Sequence, residues 1–124
     1  MSANETTSEL LYHVKRTITD FAEDKSGATR TTDILGTYTD LKVAKAAARS
    51  ALASEGYLKD DFDICEVNEG EEGWKYGDGV FVFAKAPAGQ EFEVRLDTKP
   101  NVNHLKGNAN GEVEGVLHYG KTLV

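Results

Sequence analysis

Three histidines, His13, His104 and His118, and one cysteine, Cys65, are the side chains of this 124-residue chain whose unperturbed chemistry lies closest to neutral pH. No two histidines have the His-x-x-x-His spacing of a metal-binding helix, nor is there a Glu-x-x-His pair, so a metal centre would need ligands from distant segments. His13 and His118 are each followed at +3 and +4 by a base and a threonine, Arg16-Thr17 and Lys121-Thr122, a coincidence that gains meaning only if the two segments pair. Surface or hydrogen-bonded structural histidines are the commoner case. Cys65 sits between Ile64 and Glu66 with no Cys-x-x-Cys partner, which reads as a buried inert thiol. A Gly-x-Ser-x-Gly nucleophile elbow is missing, and Gly70, Gly73, Gly77 and Gly79 lack the Lys-Ser/Thr ending of a phosphate loop. No catalytic residue, metal ligand or cofactor is therefore assigned, and whether the chain is an enzyme stays open, with the balance towards not.

Recognition chemistry is better represented. Trp74 and Tyr76 alternate along an extended, glycine-flanked segment and combine an apolar body with a polar tip. In the run Val80-Phe81-Val82-Phe83-Ala84, the valines point one way and the phenylalanines the other, so both sides of this strand want apolar cover. His13, Tyr38, Trp74, Tyr76, Phe81 and Phe83 are the candidates for touching a ligand or partner.

The elements that would position them follow from periodicity. Leu10, Tyr12, Val14 and Ile18 share one side of an extended run, a pattern interrupted by Arg16, and define a first strand. Asp24-Lys25-Ser26-Gly27-Ala28 is a turn that returns the chain into a second strand over 29–38. Thr39 or Asp40 caps an amphipathic helix carrying Leu41, Ala44, Ala48, Ala51 and Leu52 on its apolar face, and Gly56 closes it. Lys42, Lys45 and Arg49 stripe another face, which reads as solvated. Further strands are expected over 62–67, 80–84 and 91–97, with a glycine-rich hairpin over 70–79. Residues 1–9 read as a disordered tail, 10–124 as a single domain, 100–115 as a long loop, and Val116-Leu117-His118-Tyr119 as a further edge strand or a cover for the sheet. The fold expected is α+β: an antiparallel sheet of about five strands, in the chain order β-β-α-β-β-β, with one amphipathic helix packed on one face.

Twenty-one acids against 14 bases give a formal charge of −7, which weighs against nucleic acid as a partner. There is no apolar run of membrane-spanning length, and the lone cysteine and the absence of a signal-like start point to a reducing, cytoplasmic setting. One helix covers one face, so the second face needs the C-terminal segment or another subunit. The function expected is a small non-enzymatic domain that interacts with proteins or associates with itself as a homodimer. The alternative is a small-molecule binder or minor enzyme with a pocket between helix and sheet or at a subunit seam.

Tyr12-His13-Val14, Asp24-Lys25-Ser26-Gly27, Gly36-Thr37-Tyr38, the following alanine-rich helix and Trp74-x-Tyr76-Gly77-Asp78 form a combination spread over 10–96. It resembles a group of small uncharacterised intracellular proteins of filamentous fungi. The resemblance implies no activity and no functional residues.

Overall fold

A computed structural model describes residues 10–101. The tail over 1–9, the loop beyond 101, the run Val116–Tyr119, and with them His104 and His118, lie outside the described residues. Strands β1 (Leu10–Asp20), β2 (Arg30–Tyr38), β3 (Ile64–Val67), β4 (Val80–Lys85) and β5 (Gln90–Pro100) form one antiparallel sheet in the order β2-β1-β5-β4-β3. Helices α1 (Leu41–Arg49) and α2 (Ala51–Ser54) carry the chain from the β2 edge towards the β3 edge across one face.

Each boundary has a local cause. Asp40 caps α1 by accepting hydrogen bonds from the backbone N–H groups of Lys42 and Val43. Asp24 folds the β1–β2 turn by accepting from the N–H and hydroxyl of Ser26, and Gly27 supplies the positive φ of 80°. Small residues bring helix and sheet together: Ala44 and Ala48 are fully buried, and Ala48, with Ala51 and Leu52, packs in one core with Val14, Val82, Ala84, Phe92 and Val94 of the sheet. Tyr57, Phe62 and Phe92 extend that core as an aromatic cluster with edge contacts at 5.1 Å.

Four features depart from the expected elements. The helix is not continuous: Ser50 leaves helical geometry, its hydroxyl donates to the Ala46 carbonyl, and such back-bonding bends helices. β3 starts at Ile64 rather than residue 62, because Phe62 leaves the ladder to pack on Tyr57 and Phe92. β5 runs on to Pro100, because Thr98, Lys99 and Pro100 pair with Tyr12, Leu11 and Leu10 despite offering no apolar alternation. Finally, the β4–β5 register shifts between Val80 and Val82, so Phe81 does not share Phe83's surroundings; it packs against the core beneath the Arg49 guanidinium of α1, 6.0 Å from its ring centre.

Candidate functional site

The kinked helix leaves a gap. Ala47, Ser50, Ala51 and Ser54, all with short side chains, come from α1, the kink and α2; Ala47 and Ala51 also pack on the core, and the four leave space beside it. Opposite them stand Val14 of β1 and Leu35 and Tyr38 of β2, and the result is a cleft of ≈ 380 Å³ between helix and sheet, with Glu55 in its wall. Two local devices shape the sheet side. Val14 pairs with Gly36 and Lys15 with Ile34, so Leu35 is an extra residue bulged from β2, and it is among the cleft's lining. Gly36 is buried and its missing side chain makes room for the Tyr38 ring, since a Cβ there would lie 3.0 Å from one ring carbon and the hydroxyl of Tyr38 and 3.2 Å from a second ring carbon.

A buried ionic triad adjoins the cleft. Arg16 faces the helix side of β1, opposite Asp33 in register, and is the only base among the buried residues described. One guanidinium nitrogen donates to Asp33 and another to Glu55, tying β1 to β2 and to the residue that ends α2. The side chains of Arg16, Asp33 and Glu55 are 10%, 19% and 18% exposed, so the charges are largely withdrawn from water and depend on each other. One positive charge faces two negative ones. The triad is also incomplete: Glu55 Oε1 and Arg16 Nε are buried and make no hydrogen bond.

The opposite face of the sheet is polar. His13 Nδ1 and the Thr37 hydroxyl are 2.8 Å apart, the Thr17 and Thr32 hydroxyls bond each other, Lys15 pairs with Asp97 at 2.6 Å, and Arg95 pairs with Glu93. Burial and the neighbouring Lys15 hold His13 below its ordinary value, with Asp97 pulling the other way. Asp97 is held below the usual carboxylate range, chiefly by the hydrogen bond from Lys15. Phe83 is the aromatic ring of β4 on this face; Phe21 lines a small cleft beside it, and the loop between β3 and β4 stacks on it. Tyr76 stacks on Phe83 at 4.2 Å, Trp74 meets Tyr76 edge-on at 5.0 Å, and the Tyr76 hydroxyl donates to Glu66. Trp74 Nε1 is buried without a partner.

The six candidate residues are thus dispersed. Tyr38 alone lines the helix-side cleft; His13 stands on the polar face; Trp74, Tyr76 and Phe83 stack on one another; and Phe81 lies under Arg49. Sequence reasoning missed Leu35, Ser50, Ser54 and Glu55, and treated Arg16 as an interruption. The available signal was Arg16 itself, since a base at an inward strand position requires buried counter-charges. Burial pushes the Cys65 thiol up, which makes it a poor nucleophile. Among the described residues no group of three or more His, Cys, Asp or Glu side chains could hold a metal ion, and no helix is long and apolar enough to cross a membrane. Comparison with protein-family models, with curated proteins and with solved structures gives no match to this chain.

Proposed function

We propose that this domain binds a small, mostly apolar molecule in the cleft between the kinked helix and strands β1 and β2. The supporting observation is the cleft's make-up, a mostly apolar wall of Val14, Leu35, Tyr38, Ala47 and Ala51 with Ser50, Ser54 and Glu55 as its polar members. Ligand sites commonly have this make-up, an apolar body with few polar anchors and a volume of roughly 300–1,000 Å³. The cleft, at ≈ 380 Å³, suits a ligand near the lower end of that range.

Self-association through the sheet face opposite the helix has weaker support. Closing a second copy over that face would desolvate the Lys15–Asp97 and Arg95–Glu93 pairs, and the ring that β4 places there, Phe83, is already stacked on Tyr76. A reducing, cytoplasmic setting remains part of the reading and rests on the single unpaired cysteine.

The test is an amide NMR titration with naphthylmethanol, a neutral bicyclic probe. Shifts gathered at Leu35, Tyr38, Ala47, Ala51 and Glu55, and abolished by Ala47→Leu filling the cleft from a half-buried helical position, are the expected outcome. Shifts confined to Trp74, Tyr76 and Phe83, or none at all, would overturn the reading.

A further inference from the structure

We propose that the polar face of the sheet holds a second binding site, separate from the helix-side cleft, for a small amino acid with an ammonium group at one end and a carboxylate at the other. The site is a cleft of ≈ 180 Å³. Strand register builds it. Thr19 of β1 lies between Arg30 of β2 and Glu91 of β5; two residues back on the same face, Thr17 lies beside Glu93, which in turn lies beside Phe83 of β4. Phe21 bounds the cleft as a second ring. A Cβ at Gly27 would lie 2.8 Å from the Phe21 ring, so only a glycine there admits the ring in this position.

Opposite charges stand on opposite sides of Thr19 without pairing. Arg30 makes no ion pair among the described residues. Its Nε and one terminal nitrogen donate to the Gly27 carbonyl, which fixes the guanidinium and leaves the other terminal nitrogen without a protein acceptor. Glu93 accepts from Arg95 through Oε1 alone, and Glu91 has only Lys85, 4.0 Å away and beyond hydrogen-bond distance. Neighbouring strands are about 5 Å apart, so the guanidinium and the Glu91 carboxylate are rooted about 10 Å apart. A single small ion cannot touch both, whereas a molecule with two charges a few bonds apart can. A lone cation would face Arg30 and a lone anion would face Glu91 and Glu93; a zwitterion meets an opposite charge at each end.

The floor of the cleft supplies an independent observation. Thr19 is only 8% exposed, and its hydroxyl has no hydrogen-bond partner among the described residues. It is not one of the unpartnered polar atoms sealed from solvent, which are Arg16 Nε, Glu55 Oε1 and Trp74 Nε1, so it keeps an accessible surface, and Thr19 lines this cleft. A hydroxyl both donates and accepts, so it serves either end of an amino acid. The Phe21 and Phe83 rings offer apolar cover to the methylenes between the two charges.

An NMR titration of the full chain with 5-aminopentanoate, pentanoate and pentylamine, which share one carbon chain and differ in charge, tests the assignment. Shifts should gather at Thr19, Phe21, Arg30, Glu91 and Glu93. The amino acid is expected to bind about tenfold or more tighter than either analogue, the size of one hydrogen bond to a charged group. Arg30→Gln should reduce its affinity to that of pentylamine, and Glu91→Gln should bring it towards that of pentanoate. Should Arg30→Gln loosen the turn that it helps hold, Thr19→Val keeps the shape of the side chain and is expected to weaken 5-aminopentanoate with the fold intact. Equal affinity for the three probes, an advantage that survives both Arg30→Gln and Thr19→Val, or no saturable shifts at these residues overturns the inference. The helix-side cleft is judged separately, by naphthylmethanol.

Discussion

The Arg16 guanidinium meets the Glu55 carboxylate across 39 residues of chain, and this contact joins the second-strand hairpin to the end of the kinked helix beside the cleft. Asp33 holds the same guanidinium from the other side. Removing the base strands two largely buried carboxylates. Arg16→Met is therefore expected to cost about 3–5 kcal/mol, the usual result of breaking a buried ion pair from one side. Replacing all three groups together, Arg16→Met with Asp33→Val and Glu55→Leu, should recover most of that loss. Urea midpoints at unchanged m-value are the check, and a triple variant as unstable as the single one would show that the penalty is not electrostatic.

Gly36 makes room for Tyr38. A methyl group at position 36 would lie 3.0 Å from the Tyr38 ring, so Gly36→Ala must push that ring away. The expected cost is about 1–3 kcal/mol, as for overpacking elsewhere, together with weaker binding of naphthylmethanol, because Tyr38 is part of the cleft wall. Unchanged stability and unchanged affinity would place the ring elsewhere in solution.

His13 should titrate below its ordinary value of 6.5. Asp97 is the neighbour that raises it, so Asp97→Asn should lower the midpoint further. Linkage gives the stability effect. The folded state gives up the proton more readily than the unfolded one, so His13 contributes no loss above the unfolded value. Stability then falls as pH drops from that value to the lowered folded one, and levels off below it. Proton NMR of the His13 ring, alongside urea midpoints of the wild type and His13→Gln, tests both. A midpoint above 6.5 would contradict the burial that sets the direction.

Tyr76 is expected to matter as a cover and much less through its hydroxyl. Tyr76→Phe keeps the stack on Phe83 and loses only the exposed bond to Glu66, so its urea midpoint should stay close to wild type. Tyr76→Ala uncovers Phe83 and should lower the midpoint and make the protein associate at high concentration, read by sedimentation velocity. A wild type that already sediments as a dimer, with Tyr76→Ala no different, would restore the polar face as an interface.

The elements were legible where side-chain period and a cap coincide. Val14 and Ile18, Phe92 and Val94, and the Asp40 cap before Leu41 all state their structure locally. The cleft is not local. It depends on Leu35 bulging out of a ladder whose register is set by β1, and on Ser50 bending a helix that its alanines would otherwise continue. Arg16 was visible and misread, since its meaning lies in Asp33 and Glu55, which only the folded chain brings to it. The aromatic residues drew attention by type, yet the rings of Trp74, Tyr76 and Phe83 pack in series on one another.

Intermolecular nuclear Overhauser effects from bound naphthylmethanol are the most direct check on where a ligand lies. Contacts from the naphthalene protons to the methyl groups of Val14, Leu35, Ala47 and Ala51 are expected from the cleft's lining. Contacts to Tyr76 and Phe83 with none to Val14 or Leu35 would put the ligand on the opposite face and contradict the cleft as the functional site.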